Sequence, residues 1–312
     1  MTSTLLRLGT RGSPLALWQA HATQRALSQA HGVPLEAIEI VVIRTTGDQV
    51  RDRPLADVGG KGLFTKEIEE ALADGHVDVA VHSAKDVPTF LPDGMVLAAC
   101  LERADPRDAL IAPQYGTLDG LPEGAVVGTA SARRGAMLSY LRPDITTVLL
   151  RGNVETRLRK VESGEMQATL LALAGLRRLG LEAHASEVLE PERFLPACGQ
   201  GTVALEIRGD DARTAELLAA VDHRETHLSL LAERAFLAAL DGSCRTSIGG
   251  HARMDGDRLQ LRGLVLEAEG REAWTVELDG PADQPEIIGR TAGEDLFNRV
   301  PAGIIVSERF PS

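Results

Sequence analysis

Three kinds of side chain in this sequence could do chemistry: a cluster of cations, a thiol on a loop, and a carboxylate at the end of an apolar run. Between Thr129 and Arg178 nine Arg and Lys stand against four Asp and Glu, in a chain of formal charge -12, so the remainder carries -17. Arg133 and Arg134 follow Ser131, Arg151 precedes Gly152, and Arg157 and Arg178 complete the array. The guanidinium fork matches carboxylate and phosphate oxygens, so such an array can hold several anionic groups in order; the alternative is a set of solvated helix faces. Cys244 lies in Asp241, Gly242, Ser243, Cys244, Arg245, where the cationic neighbour would favour a nucleophilic thiolate. Buried instead, it would be inert packing. Asp86 follows Lys85 at a strand end, placed either to accept a proton and stabilise a developing cation or simply to pair with that lysine.

Other patterns exclude chemistry. In Val58 to Gly62 a phosphate loop fails, because Gly62 stands where Ser or Thr is needed. His223 and His227 lack the zinc protease order, and Cys100, Cys198 and Cys244 fit neither a disulfide framework nor a zinc pattern, so no metal is expected. Aromatics are only 3% of residues, which with the acidic total argues against a nucleic-acid partner. No stretch nears the roughly 20 apolar residues that cross a bilayer, and residues 1–8 hold no apolar leader core, so no membrane and a cytoplasmic location are expected.

The elements that must position these residues follow from periodicity. An apolar run ending at Leu8 precedes Ser13 and Pro14, a cap and first-turn pair that starts a helix, and Ile38 to Ile43 is a β-branched strand. Residues 46–62 are glycine-rich and read as a long loop. A helix over 65–73 and a strand over 77–81 lead to Ser83, Lys85 and Asp86, and polar residues beyond a strand's carboxyl end suit a ligand crevice. After the Asp105, Pro106 break, strands and helices alternate again, with Ser131 and Asn153 as caps. The basic residues fall at strand ends near helix N-termini, whose dipoles favour anions. A helix over 223–240 and three alternating strands over 248–278 close the chain as a small α+β unit.

Taken together, these stretches resemble hydroxymethylbilane synthase, also called porphobilinogen deaminase, over nearly the whole chain. The motifs are Arg11 to Trp18, the Val58 to Phe64 loop, Val81 to Pro88, Asp105 to Ala109, Gly128 to Arg134, Arg151 to Val154, Ala174 to Leu181, Gly199 to Gly201 and the Cys244 loop. The resemblance implies two α/β domains like those of periplasmic binding proteins flanking a cleft, plus a small α+β C-terminal domain. It divides the chain into 1–101 with 202–219, then 105–198, then 223–312.

The resemblance further implies a monomeric transferase of tetrapyrrole synthesis that condenses four porphobilinogen molecules head to tail, releasing ammonia and finally hydroxymethylbilane. A dipyrromethane primer would be held through a thioether to Cys244, with Asp86 as the catalytic carboxylate. Arg11, Ser13, Ser83, Lys85, Thr129, Ser131, Arg133, Arg134, Arg151, Arg157 and Arg178 match positions that bind cofactor or substrate carboxylates. Lys61 and Phe64 fall on a lid and Gln200 near the cleft, and product handover to uroporphyrinogen III synthase follows from pathway order. Two positions depart from the family pattern: Asp57 replaces a frequent lysine, and Ser247 replaces a proline, which restores backbone freedom after the cysteine. A noncatalytic two-lobed carboxylate-binding protein would use the same arginines but would not need Cys244.

Overall fold

The computed structural model describes residues 4–46, 65–241 and 246–305. Strand β1 (Leu6–Arg11) is followed by helix α1 (Pro14–His31) and strand β2 (Ile38–Ile43). Ser13 starts the helix as the sequence predicts: its hydroxyl accepts the Ala16 amide at 3.3 Å, and Gly32 ends it at φ 63°, a left-handed turn that glycine adopts without strain. Helix α2 (Lys66–Ala73) leads into β3 (Val79–Ser83), a tight turn over Ala84–Asp86, and β4 (Met95–Cys100). Next come β5 (Asp108–Ile111), β6 (Val126–Thr129), α3 (Ala132–Leu141), β7 (Thr146–Leu149), α4 (Val154–Glu162), β8 (Ala168–Ala172), α5 (Leu173–Arg178) and β9 (Glu187–Leu189). Strand β10 (Val203–Arg208) and helices α6 (Ala212–Ala219) and α7 (Arg224–Ala239) precede β11 (Ser247–Asp255), β12 (Arg258–Leu266), β13 (Ala273–Pro281) and α8 (Pro285–Arg299).

These elements form two compact units, Met1–Ala104 with Thr202–His227, and Asp105–Gly201 with Leu228–Ser312. In the first, one sheet runs β2-β1-β3-β10-β4. Its first three strands are parallel, and β10 lies antiparallel between β3 and β4. Leu6, Leu8, Val79, Val81, Leu205 and Ile207 pack on one side with Leu27 of α1 and Leu218 of α6, while Ala80 packs on the other with Ile68 and Leu72 of α2. Strands covered on both faces are mostly apolar, and β3 opens with the buried Val79, Ala80 and Val81.

The second unit repeats the pattern as β7-β6-β8-β5-β9, where β5 is the antiparallel insertion. It also contains an antiparallel sheet, β11-β12-β13, covered by α7 and α8. Leu264 and Leu266 of β12 join the core built by Leu110, Leu138 and Phe194, so the C-terminal sheet shares apolar burial with residues 105–201. Helix α8 lies hard against α7: a Cβ on Gly289 would meet the Ala232 carbonyl oxygen at 2.1 Å. The architecture is the expected one of two α/β sheets plus a small α+β part, to which the structure adds β5, β9, α5, α6 and α8. No described helix is long and apolar enough to cross a membrane.

Candidate active site

In the first unit, two chain segments emerge side by side at the carboxyl edge of the sheet. Strands β1 and β3 are parallel neighbours, with Gly9 opposite Ala80, so Arg11 and Ser13 leave the sheet beside Ser83 and the turn that carries Lys85 and Asp86. Gln19 of α1 fixes that junction by donating to Ser83 Oγ at 2.7 Å, and the Ala84 amide donates to the Thr202 carbonyl at 3.0 Å. Asp86 is exposed and Lys85 half-buried. An exposed carboxylate on a turn pinned from two sides can meet a substrate without reorganising the backbone.

Behind this edge lies a polar cluster. Glu206, at the centre of β10, is wholly buried, and its Oε2 sits 3.0 Å from Nε2 of buried His82. Glu69 of α2 faces the same pair: burial pushes its carboxyl up, and the Glu206 charge adds to that shift.

The second unit brings Thr129, Ser131, Arg133 and Arg134 together where β6 enters α3. Ser131 caps the helix, accepting the Arg134 amide at 3.4 Å, and Thr129 Oγ1 accepts the Ser131 amide at 3.2 Å. The side chains of Arg133 and Arg134 turn inward, only 5% and 6% exposed. Both meet the wholly buried Asp108 of β5: Arg133 Nη2 donates to Oδ2 and Arg134 Nη2 to Oδ1, each at 2.7 Å. Gln200 adds a third donor to Oδ1 at 3.0 Å. Burial alone would raise the Asp108 carboxyl, but the two guanidinium charges and the Gln200 bond outweigh it and hold the group far below the usual carboxylate range. Remaining donors reach carbonyls, Arg133 to Leu195 at 2.7 Å and Arg134 to Leu170 at 3.0 Å, while buried Arg133 Nε has no hydrogen-bond partner in the structure.

Arg178 ends α5, donating to the Gly201 carbonyl at 2.6 Å, and burial pulls its pKa down to about 10. The Gly199–Gly201 turn is held by buried Glu233 of α7, which accepts the Gly199 amide at 2.5 Å and the Ala252 amide at 2.7 Å. Arg151 and Arg157 flank the N-terminus of α4, where Asn153 Oδ1 caps the Thr156 amide at 2.9 Å and Arg157 Nε donates to the Gly152 carbonyl at 2.9 Å. Ser247 is buried as the first residue of β11. Asp57, Lys61, Phe64 and Cys244 lie outside the described residues.

Arg11, Ser13, Ser83, Lys85 and Asp86 thus belong to one unit, and Thr129, Ser131, Arg133, Arg134, Arg151, Arg157, Arg178 and Gln200 to the other. Sequence reasoning gave no individual role to Gln19, Glu206 or Asp108, and placed His82 only among the polar residues at the end of its strand. Asp108 lies 25 residues before Arg133 in the chain, so no local pattern pairs them and only the sheet brings them together.

Comparison with known proteins decides the relationship. A family model described as "Porphobilinogen deaminase, dipyromethane cofactor binding domain" matches residues 6–216, and one described as "Porphobilinogen deaminase, C-terminal domain" matches residues 227–298. The chain belongs to the porphobilinogen deaminase family. A porphobilinogen deaminase of Nitrobacter winogradskyi is 56% identical over 298 residues, covering 96% of this chain and 94% of that one. A porphobilinogen deaminase of Paracoccus denitrificans is 52% identical over 297 residues, 95% of each chain. Among solved structures, the periplasmic aliphatic sulphonate binding protein SsuA of Escherichia coli aligns at a TM-score of 0.41 and 16% identity, over 75% of this chain and 70% of that one.

The donor set of the second unit fits a ligand that carries carboxylates. Arg151 and Arg157 sit at a helix N-terminus, and Arg133 retains an orphaned buried N–H donor.

Proposed function

We propose that this chain condenses four porphobilinogen molecules head to tail on a dipyrromethane primer, releasing ammonia at each addition and finally hydroxymethylbilane. The observation that carries the reading is the match of both porphobilinogen deaminase domains, over residues 6–216 and 227–298. The primer would be held through a thioether to Cys244. When bound, it would supply the pyrrole carbon to which the first substrate attaches, each later substrate attaching to the ring added before it.

The chain's own residues divide the remaining work. Each pyrrole carries an acetate and a propionate, so two primer rings and four added rings bring twelve carboxylates to one protein. Cations must offset their mutual repulsion wherever the dielectric is low. Arg11, Arg151, Arg157 and Arg178 are the guanidiniums assigned to direct carboxylate binding, with Ser13, Ser83, Lys85, Thr129 and Ser131 contributing donors. Arg133 and Arg134 act from behind: both are bonded to Asp108, and Arg133 Nε is the donor left to offer. Asp86, exposed at its turn, holds the substrate pyrrole N–H and stabilises the positive charge that develops as ammonia leaves. Lys61 and Phe64 would cover the bound rings, with Gln200 beside them. The enzyme is assigned to the cytoplasm as a monomer, passing its product to uroporphyrinogen III synthase.

Denaturing mass spectrometry of the intact chain and of Cys244→Ser tests this reading. The expected result is an adduct of two linked pyrroles on Cys244, absent from the variant. A chain that stays unmodified after incubation with porphobilinogen or hydroxymethylbilane would overturn it.

A further inference from the structure

A thiol, a carboxylate and an imidazole meet in the first unit, and none of them enters the chemistry above. Cys100 closes β4 with its side chain fully buried, while the side chains of Asp222 and His227 remain 24% and 19% exposed. One ligating atom from each lies within 4.8 Å of the other two. Main-chain bonds hold the three in place: the Cys100 amide donates to Asp222 Oδ1 at 2.8 Å, and the His223 amide donates to the Cys100 carbonyl at 2.8 Å. His227 Nδ1 lies 3.0 and 2.9 Å from the two Asp222 oxygens.

We propose that Cys100, Asp222 and His227 form a site for one thiophilic divalent cation of the zinc class, with water as the fourth ligand. Tetrahedral zinc, with bonds of about 2.0–2.3 Å, sets its ligand atoms roughly 3.3–3.7 Å apart, so separations of up to 4.8 Å must close by at most about 1.5 Å and the Asp222–His227 pair must widen slightly. Charge also balances. A dication, a thiolate, a carboxylate and a neutral imidazole sum to zero, so the complex sits beside a buried sulfur without an uncompensated ion. On binding, the metal–sulfur bond forms and the thiol proton leaves to solvent. The imidazole keeps its single proton on whichever ring nitrogen does not ligate.

The position gives the site a consequence. Cys100 and Asp222–His227 precede the two points, Ala104 and His227, at which the chain leaves this unit, and the Arg103 amide already donates to Thr226 Oγ1 at 2.9 Å across the same two segments. A bound cation would cross-link the departing segments and stiffen them.

The test uses the full-length, primer-loaded protein, stripped with a chelator and titrated with Co²⁺ while thiolate-to-cobalt charge-transfer absorbance is followed; Zn²⁺ then competes. One equivalent should bind with the charge-transfer band. Cys100→Ser should abolish the band, Asp222→Asn and His227→Gln should each weaken binding by about 10–100-fold, and Cys198→Ser should change nothing. His227→Gln keeps the test valid if Cys100→Ser fails to fold. No band in the parent protein, a band that persists in Cys100→Ser, a band lost in Cys244→Ser instead, or unchanged affinity in His227→Gln would each overturn the proposal.

Discussion

The two five-stranded sheets share one strand order but treat their buried acid differently. In each, the fourth strand in the order is the antiparallel insertion, β10 in the first and β5 in the second, and each carries a carboxylate with no exposure to solvent. Asp108 on β5 is paired with two guanidiniums, Arg133 and Arg134. Glu206 on β10 faces an imidazole, with the carboxyl of Glu69 close behind. The same strand of one topology can therefore bury its acid against a guanidinium pair or against an imidazole with a second carboxyl nearby.

The largest break between the halves should come at the exposed acid of the first unit. Asp86→Ala is expected to cut turnover by about 10²–10⁴-fold while circular dichroism and primer content stay unchanged. Stability, by contrast, should hinge on the second unit. Asp108→Ala leaves two buried guanidiniums without their counter-ion and is expected to cost about 3–5 kcal/mol in denaturant unfolding. The sign with pH is definite: the folded Asp108 carboxyl lies below its unfolded value of about 3.9, so its contribution is present above that pH and is lost as pH falls through the folded value. Asp108→Asn should lack this acid limb.

In the first unit, Glu206→Leu removes the carboxylate that buried His82 Nε2 faces, at an expected cost of about 1–3 kcal/mol. The smallest effect sharpens the contrast. Glu69 has a folded pKa raised above the unfolded value of about 4.3, so the stability it contributes is present at low pH and lost as pH rises through the folded value. Glu69→Gln should thus match or exceed the parent by up to about 1 kcal/mol at neutral pH, with a flatter pH profile. An equal fall in stability for Glu69→Gln and Asp108→Asn would erase the distinction between the two sheets.

Local signals made much of this legible in advance. Ser13, Ser131 and Asn153 cap helices where the sequence places them, because a cap depends on residues within three positions of itself. Strand β5 was not legible: it is four residues long, follows a proline break, and gains its identity from partners on β8 and β9 that are distant in sequence. That loss hid Asp108, and with it the inward turn of Arg133 and Arg134, which read locally as an anion-binding array. Helix α8 was obscured by Gly289 and Gly293, poor helix formers that are needed where α8 meets α7. The porphobilinogen deaminase resemblance carried the reading past such gaps, since it depends on joint motif order rather than on any one element.

The sheet orders also set a timetable for the growing chain. All five strands of the second sheet fall between Asp108 and Leu189, so it can be completed as soon as that stretch is made. The first sheet cannot join β4 to β3 until β10 arrives, about a hundred residues after Cys100, and at ~5–20 residues per second that is a wait of roughly 5–20 s on the ribosome. The edge of β3 stands unpaired throughout, so the N-terminal sheet, first to be synthesised, closes only after the second five-stranded sheet is complete and presents an open strand edge in the meantime.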